Sequence, residues 1–400
     1  VKSIYRILYT AAMHVINTTM HIASLINMKA ALWCKGRKDW KYKLSQKIQP
    51  KADNQIRVWA HAASLGEFEL LLPVLQAIKL HKKDRVYVVC SFYSPSGYEQ
   101  RKNHLIVDVA TYLPLDTPKN AADFIEIVKP DLFINAKYEF WLFLLEQLQS
   151  RGIPTFVVGA RFLKDASYLG KLWPLLQDVF INTTAWFTQD EQSKNILEAK
   201  GCKTVFHFGD TRVDRNLAIA AEQIEYNQVI SFKESSPVLI LGSIWESDLT
   251  ILLPALKKMA DHWKLIIAPH EIEESILTNI ERNFHGQSIR FSKVGQDLHQ
   301  EAPKVLLIDN IGNLSKLYRY GDIAYVGGGF GSGLHNIYEP LAYKIPVIYG
   351  PRIAKFPEAL EAESSGIGKR IHNSSEFEEA IRVFSEKNKS EMQRSIHSFF

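Results

Sequence analysis

Two stretches of this chain carry residue types whose spacing could do chemistry. In residues 61–67, HAASLGE, a small-residue loop with Ser64 and Gly66 leads into a helical pattern that Glu67 opens. A first-turn carboxylate is favoured by the helix dipole, which is reason enough for it to be there. Held at a cleft, the same carboxylate is ionised at neutral pH and can take a proton from a hydroxyl brought within hydrogen-bond reach. In residues 325–351 an apolar run ends in Gly327, Gly328 and Gly329, then Gly331 and Gly333 follow, and a helical pattern begins at His335. Five glycines within seven residues let the backbone take positive φ and let a ligand come close. Such a turn offers several unpaired N–H groups and the positive end of a helix, which suits phosphate. A tight strand–helix turn with no ligand would read similarly. His335, Asn336 and Glu339 shift the balance toward a phosphate and ribose site, because packing does not need polar groups there.

Other polar groups fall where strands are expected to end. Lys137 and Glu139 stand side by side in KYE; they could pair with each other, or bind an anionic or hydroxylated substrate. Arg161 can address a carboxylate or phosphate. Gly242-Ser243 precedes a helix starting near Asp248, and Pro269-His270-Glu271 closes another strand. The histidines are scattered and no Asp-x-Asp cation site is visible, so no metal centre is expected. Neither a Walker A loop nor a Gly-x-Ser-x-Gly elbow is present, which argues against NTPases and serine hydrolases.

The elements that must position these groups alternate. Strands are expected at 58–61, 86–90, 106–112, 132–136, 155–159 and 185–188. Helices are expected at 66–80, 118–128, 139–150 and 190–200, and a turn at 94–97. After a polar helical junction at 216–237 the pattern restarts, with strands at 238–241, 265–268, 305–308, 323–326 and 347–349. Continuous apolar runs of this kind are strands covered on both faces, hence a parallel α/β architecture. Ligands of such sheets bind beyond the carboxyl ends of the strands, here expected in a cleft between two domains. The expected organisation is residues 1–45 as an anchor and basic linker, 46–212 as one Rossmann-like domain and 213–400 as the other. The helices from Ser374 onward are candidates to pack back across the first domain.

Four hundred residues with 46% hydrophobic and 23% charged content describe a globular chain too long for one ordinary core. A net charge of +5 is mild, no nucleic-acid signature appears, and no nucleic-acid partner is expected. Three widely spaced cysteines form neither a metal pattern nor a disulfide framework. The basic excess is local: Lys29, Lys35, Arg37, Lys38, Lys41, Lys43, Lys47 and Lys51 face only Asp39. It follows an uncharged run, residues 7–28, in which Thr10, His14, Asn17, Thr18, His21 and Ser24 continue a polar stripe begun by Lys2 and Arg6. A helix with one polar stripe and flanking lysines fits lying in an anionic membrane interface better than spanning the bilayer.

Taken together, HAASLGE (61–67), YLPLD (112–116), AKYEFW (136–141), GAR (159–161), LGS (241–243) and GGGFGSGLHNIYEPLAYKIPVIYGP (327–351) resemble the 3-deoxy-D-manno-octulosonic acid (Kdo) transferases over nearly the whole chain. The resemblance implies a GT-B fold: two Rossmann-like β/α/β domains facing a cleft, with an N-terminal amphipathic helix. It implies a metal-independent, cofactor-free, inverting glycosyltransferase at the cytoplasmic face of the inner membrane. Its donor would be CMP-Kdo and its acceptor the lipid A precursor. By position, Glu67 matches the family's catalytic base and Glu139 a second acid. Ser64, Gly66, Lys137 and Arg161 fall on the acceptor and donor-sugar side. Gly242, Ser243, Pro269, His270, Gly327, Gly328, Gly329, Gly331, Gly333, His335, Asn336 and Glu339 fall on the CMP-Kdo side. Lys137 stands where many members have an acid. Pro269-His270-Glu271 replaces the more usual Pro-Arg-His, so a donor-binding arginine is missing there.

Three other readings stay open on sequence. A GT-B enzyme using a UDP-sugar would share the fold. A UDP-sugar 2-epimerase would too, but has no use for an amphipathic anchor. A non-catalytic nucleotide- or lipid-binding protein would leave Glu67 unexplained.

Overall fold

The computed structural model describes residues 2–82, 85–137, 139–162, 169–294, 303–331 and 333–400. The chain divides into two compact units, Val1–Arg212 and Val213–Phe400. The first begins with α1 (Lys2–Ala23), α2 (Met28–Arg37) and α3 (Trp40–Lys47). It continues with β1 (Ile56–Ala62), α4 (Leu65–Lys82), β2 (Val86–Phe92), α5 (Pro95–Arg101), β3 (Val109–Tyr112), α6 (Pro118–Val128), β4 (Leu132–Ala136) and α7 (Leu142–Ser150). It closes with β5 (Thr155–Ala160), α8 (Trp173–Ile181), β6 (Ala185–Thr188), α9 (Glu191–Ala199) and β7 (Val205–His207); α10 (Arg212–Ala221) starts at the boundary.

The second unit holds α11 (Asn227–Lys233), β8 (Val238–Ile244), α12 (Glu246–Met259), β9 (Lys264–Pro269), α13 (Glu274–Asn283), β10 (Ser288–Arg290), β11 (Val305–Leu307) and α14 (Leu314–Leu317). It ends with β12 (Ile323–Val326), α15 (Tyr338–Ala342), β13 (Val347–Tyr349), α16 (Pro357–Ser364), β14 (Gly368–Arg370), α17 (Ser374–Glu386) and α18 (Lys389–Phe399). The last two helices bury Phe377, Ile381, Met392 and Ile396 in the second unit's core.

Both sheets are seven-stranded, and every pairing in them is parallel. The orders are β3-β2-β1-β4-β5-β6-β7 and β10-β11-β9-β8-β12-β13-β14. Every residue of β2 is buried, because helices cover both faces of the sheet. Side chains alternate along the strands: Trp59, Val89 and Phe133 enter one core of the first unit, and Val58, Val88 and Ile134 the other. In each sheet the order turns back once, between β1 and β4 and between β8 and β12. At such a switch point the connections leave on opposite faces and open a crevice at the carboxyl ends.

Several local expectations change. The turn at 94–97 is the start of α5: Ser94 Oγ accepts from Ser96 N at 3.2 Å and Pro95 takes the first helical position. The third strand begins at Val109 rather than at 106, and the helix expected from 139 begins at Leu142, which leaves Glu139 in a connection. The helix expected from His335 is the five-residue α15, so His335 and Asn336 precede it. The three-residue edge strands β7, β10 and β14 carried no apolar run to announce them.

The N-terminal segment belongs to the first unit rather than standing apart from it. The uncharged run is not one helix: α1 stops at Ala23, a turn follows, and α2 starts with Asn27 capping Ala30 N at 3.0 Å. Much of the polar stripe bonds back to its own helix: Thr10 Oγ1 donates to Arg6 O at 2.9 Å and Thr18 Oγ1 to His14 O at 3.0 Å. Arg6 pairs with Glu146. Tyr9 Oη donates to Asp116 Oδ2 at 2.7 Å, and the buried Asp116 also accepts the Phe143 and Leu144 N–H groups, each at 3.0 Å, at the start of α7. Ile4, Ile7, Leu8, Val15 and Ile22 are left exposed. Among the described residues, no helix is long and apolar enough to cross a membrane.

Tyr9→Phe removes the hydroxyl that ties α1 to Asp116 and should weaken docking of α1 by about 1–2 kcal/mol. Hydrogen exchange should then accelerate in α1 and remain unchanged in the strands; unchanged exchange in α1 would show that Tyr9 does not hold it.

Candidate functional site

In the first unit the switch point brings together the loop after β1 and the loop after β4. Glu67, the third residue of α4, is 9% exposed. Its Oε2 accepts the N–H groups of Ala63 at 2.6 Å and Ser64 at 3.1 Å. Ser64 with a glutamate three residues later is the spacing of a helix-capping pair, so Glu67 holds its own loop closed. Its other oxygen carries no hydrogen bond among the described residues and is open to a proton donor. Gly66 lies in the first turn of α4 rather than in the loop, and a Cβ there would meet nothing within 4 Å. Packing within this unit therefore does not require a glycine at 66.

Across the crevice, Lys137 takes a left-handed conformation, φ 53°, and its N–H donates to Val158 O at 2.8 Å. A lysine in that region costs about 1–2 kcal/mol, a strain that gathers at functional sites. Asn135, fully buried, donates through Nδ2 to Glu139 O at 2.8 Å and so fixes the connection that carries Glu139. Two residues on, Trp141 Nε1 donates to His61 Nε2 at 3.0 Å. His61 Nδ1 lies 3.0 Å from Ser91 O, so the imidazole is neutral with its proton on Nδ1, and burial lowers its pKa to about 3.

Glu67 and Glu139 feel each other. Burial raises the Glu67 pKa, with Lys137 and the two backbone donors opposing. Burial, then the charge of Glu67, pushes Glu139 up to about 7, and Lys137 opposes this too. The pair therefore loses its protons in two steps, the second near neutrality. Arg161 does not join this cluster; it pairs with Asp190 Oδ2 at 3.3 Å, at the ends of β5 and β6.

In the second unit the crevice lies between the ends of β8 and β12. Ser243 has φ 53°, at the bulge where β8 shifts register against β9. Gly242 is a packing requirement, since a Cβ would lie 1.9 Å from Tyr318 Oη. The glycine run is tied to itself. Gly327 N donates to Gly242 O at 2.9 Å, and Gly331 N and Gly333 N both donate to Gly328 O at 3.0 Å. Gly328, at φ 92°, donates its N–H to Asp248 Oδ2 at 2.9 Å. These four amides are spent inside the fold, so the open amide cradle expected from the sequence is not built from them. Gly329 packs against Gly350, where a Cβ would meet backbone at 2.6 Å.

What faces the crevice instead is a ring system. Trp245 Nε1 donates to His335 Nε2 at 2.9 Å, with the rings 13° from coplanar. His270, just past Pro269, stacks on both, its centroid 4.3 Å from Trp245 and 4.4 Å from His335. An indole only donates, so His335 carries its proton on Nδ1. Burial and then His270 lower its pKa to about 4, with Asp248 opposing, so it is a neutral donor at physiological pH. Asn336 is turned inward: Nδ2 donates to Glu339 Oε1 at 3.2 Å and Oδ1 accepts Tyr338 N at 3.2 Å. Burial lowers the pKa of Arg215, and the charge of Glu339 opposes this.

Sequence reasoning missed Trp245, Asp248, Arg215 and Arg352. Arg352 follows β13; its N–H donates to Gly329 O at 3.0 Å and Nη1 to Gly331 O at 2.9 Å, which puts a guanidinium on the glycine stretch. Its place two residues after Gly350 was a usable signal; nothing in the sequence marked Arg215. Tyr138 and Ser332, inside two of the motifs, lie outside the described residues.

Two experiments check this geometry. Trp245→Phe keeps the stack but removes the indole donor, and should raise the His335 pKa by about one unit, the worth of one hydrogen bond. An NMR titration of the imidazoles reads this directly, and an unmoved His335 would deny the tautomer lock. Glu139→Gln removes the carboxyl whose ionisation is held back by burial and then by the charge of Glu67. Because Glu139 folds with a raised pKa, its ionisation costs stability between about 4.5 and about 7. The Gln variant should therefore be more stable than the parent at pH 8 and equal to it at pH 4 in urea unfolding; equal stabilities at both would show that folding does not raise the Glu139 pKa.

A family model described as 3-deoxy-D-manno-octulosonic-acid transferase (kdotransferase) matches residues 38–215. A 3-deoxy-D-manno-octulosonic acid transferase of Aquifex aeolicus is 31% identical over 80% of this chain and 83% of its own length. One from Haemophilus influenzae is 29% identical over 75% of this chain and 72% of its own. Among solved structures, a putative UDP-N-acetylglucosamine 2-epimerase from Listeria monocytogenes superposes with a TM-score of 0.61 at 14% identity, covering 86% of this chain and 91% of its own. The UDP-GlcNAc 2-epimerase of Neisseria meningitidis gives 0.60 at 16%, covering 85% and 94%. At such identities the structural likeness speaks to the fold alone.

Proposed function

The chain belongs to the 3-deoxy-D-manno-octulosonic acid transferases, and on that premise we propose that this glycosyltransferase moves Kdo from CMP-Kdo to a hydroxyl of the lipid A precursor, with Glu67 as the general base. Kdo transfer in lipopolysaccharide synthesis is the family's activity; the donor, the acceptor, the inverting course and the base are the proposal.

The observation that carries it is the state of Glu67. One oxygen is held by two amides, which fixes the carboxylate's position, while the other is left to accept a proton. Burial, and then the charge of Glu67, keep Glu139 partly protonated near neutrality, so Glu67 is the carboxylate that ionises first. In the proposed step the acceptor hydroxyl gives its proton to Glu67 as its oxygen bonds to the anomeric carbon of Kdo. The bond from that carbon to the phosphate oxygen breaks, and its electron pair leaves with CMP. One displacement inverts the anomeric centre. In this reading Lys137, and Glu139 when ionised, balance the sugar's carboxylate and its developing positive charge. On the donor side the reading assigns the phosphate to the His335 Nδ1–H and the Arg352 guanidinium rather than to the glycine amides. Arg352 thus offers a cation where Pro269-His270-Glu271 lacks the family's arginine.

The exposed Ile4, Ile7, Leu8, Val15 and Ile22 of α1 support monotopic attachment, which we place at the cytoplasmic face of the inner membrane.

Glu67→Gln keeps an oxygen for the two capping amides and loses the base. Transfer should fall by about 10²–10⁴-fold while CMP-Kdo binding is retained; a fully active variant would remove Glu67 from the role. Mass spectrometry of products from CMP-Kdo and a lipid A precursor, run with EDTA and beside UDP-sugar donors, tests donor, acceptor and metal independence together. Turnover of a UDP-sugar in place of CMP-Kdo would overturn the donor assignment.

A further inference from the structure

Helix α7 starts without a cap of its own. Its N-cap residue is Trp141, and an indole has no oxygen with which to accept the N–H groups of the first turn. Those groups must still be satisfied, because Phe143 and Leu144 are buried. Asp116, in the loop between β3 and α6, supplies the cap from 27 residues before Phe143. Its Oδ2 accepts Phe143 N and its Oδ1 accepts Leu144 N, each at 3.0 Å. These are the second and third residues of α7, whose N–H groups an N-cap side chain ordinarily takes. The carboxylate also meets the positive end of the helix.

Helix α1 supplies the remaining contact. Tyr9 Oη donates to the same Oδ2 at 2.7 Å. Burial and then the charge of Asp116 raise the Tyr9 pKa, so the phenol stays a donor. Burial raises the Asp116 pKa to about 6, against the bonds from Tyr9, Phe143 and Leu144, so the carboxylate is ionised at neutral pH. The Tyr9 ring meets the Phe143 ring edge-on, with centroids 5.5 Å apart. The Arg6 guanidinium lies 5.2 Å from the Phe143 ring and pairs with Glu146. Arg6 and Tyr9 are an i, i+3 pair on α1, and Phe143 and Glu146 another on α7, so the two faces engage at the start of α7.

The start of α7 is also the end of the connection that carries Lys137 and Glu139. Trp141 is both the N-cap of α7 and the donor to His61, and Glu139 stands two residues before it. Elsewhere the connection is tied by Lys137 N to Val158 O and by Asn135 Nδ2 to Glu139 O. Asn135 Oδ1 is buried with no partner among the described residues, so this amide gives the connection one bond rather than two. Packing of α1 on α7 alone would be met by apolar side chains at lower desolvation cost. A buried carboxylate that accepts three donors instead fixes one geometry.

We propose that Asp116 is a positioning residue for Kdo transfer: by capping α7 from outside the helix it holds the connection that carries Lys137 and Glu139, and Tyr9 of α1 holds Asp116 in that pose. The crevice of the first unit is thereby set by the docking of α1. A misplacement of about 1 Å transmitted to a reacting group costs about 100-fold in rate. The proposal rests on the reading of the Glu67 crevice as the transfer site.

The test reads transfer and the Glu139 titration in the full chain. Asp116→Ala should lower kcat at least about tenfold with the KM for CMP-Kdo within about twofold. Asp116→Asn keeps one acceptor oxygen for α7 and should recover at least about threefold of that loss. Tyr9→Phe leaves both caps in place and should lower kcat at least about threefold; it carries the test if Asp116→Ala does not fold. In carboxyl NMR without substrate, Glu139 should titrate below the parent's step at about 7 in Asp116→Ala and Tyr9→Phe, because a loosened connection exposes it. Val205→Ala, a core truncation in β7, should lose stability in urea but keep both kcat and the Glu139 step. Unchanged kcat in Asp116→Ala and Tyr9→Phe, an equal loss of kcat in Val205→Ala, or an unmoved Glu139 would each overturn the proposal. The titration arm needs no turnover, so it still decides the coupling if a fully active Glu67→Gln removes the reading of the site.

Discussion

At the ends of β1 and β4 in the first unit, and of β8 and β12 in the second, the strand order turns back and the connecting helices leave on opposite faces. The rest of the candidate site depends on that constraint. Strands buried on both faces leave no room for polar side chains along their length without partners, so the polar groups collect where the strands stop. At the switch points two such ends lie side by side with no helix across them. Glu67 meets Lys137 and Glu139 there in one unit, and the Trp245 and His335 pair meets the glycine run in the other.

Both units meet the demand for order at these ends with the same local device. The helix that follows the first strand of each unit carries an acid at its third position, Glu67 in α4 and Asp248 in α12. Each folds back onto the chain that precedes it. Asp248 goes further: it accepts Trp245 N at 2.9 Å, Gly328 N at 2.9 Å and Tyr325 Oη at 2.8 Å, and is wholly buried. It is fully committed to structure. Glu67 commits one oxygen and keeps the other. The same helix-capping geometry thus yields an architectural carboxylate in one unit and a reactive one in the other.

A second parallel concerns histidine. His61 and His335 each accept an indole N–H on Nε2, from Trp141 and Trp245. Each imidazole is thereby held neutral, with its remaining proton on Nδ1. His61 spends that proton on the Ser91 carbonyl, inside the core. His335 keeps it at the crevice, as a donor whose strength does not vary across physiological pH.

Much of this was legible before any coordinates. Unbroken apolar runs such as 86–90 and 323–326 specify buried parallel strands because the pattern is local and follows from covering both faces. The Ser64–Glu67 spacing and the glycine run announced strand–helix connections for the same local reason. What the chain alone could not reveal depends on partners distant in sequence. That the glycine amides are used up by Gly242, Gly328 and Asp248 is a matter of closure across the 80 residues between Asp248 and Gly328. That Trp245 locks His335, and that Lys137 sits strained between two acids, likewise arises only when strands come together. Short edge strands such as β7 and β14 escaped because exposure on one side removes the apolar run that marks a buried strand. The opening of α5 at Ser94 escaped because a capping serine followed by proline reads equally well as a turn. The sequence by itself determined the alternation of strands and helices and the residue types at their ends. The tertiary structure alone decided which of those residues are spent on holding the fold and which are left for chemistry, because a hydrogen-bonding group is spent or spared only by what packs against it.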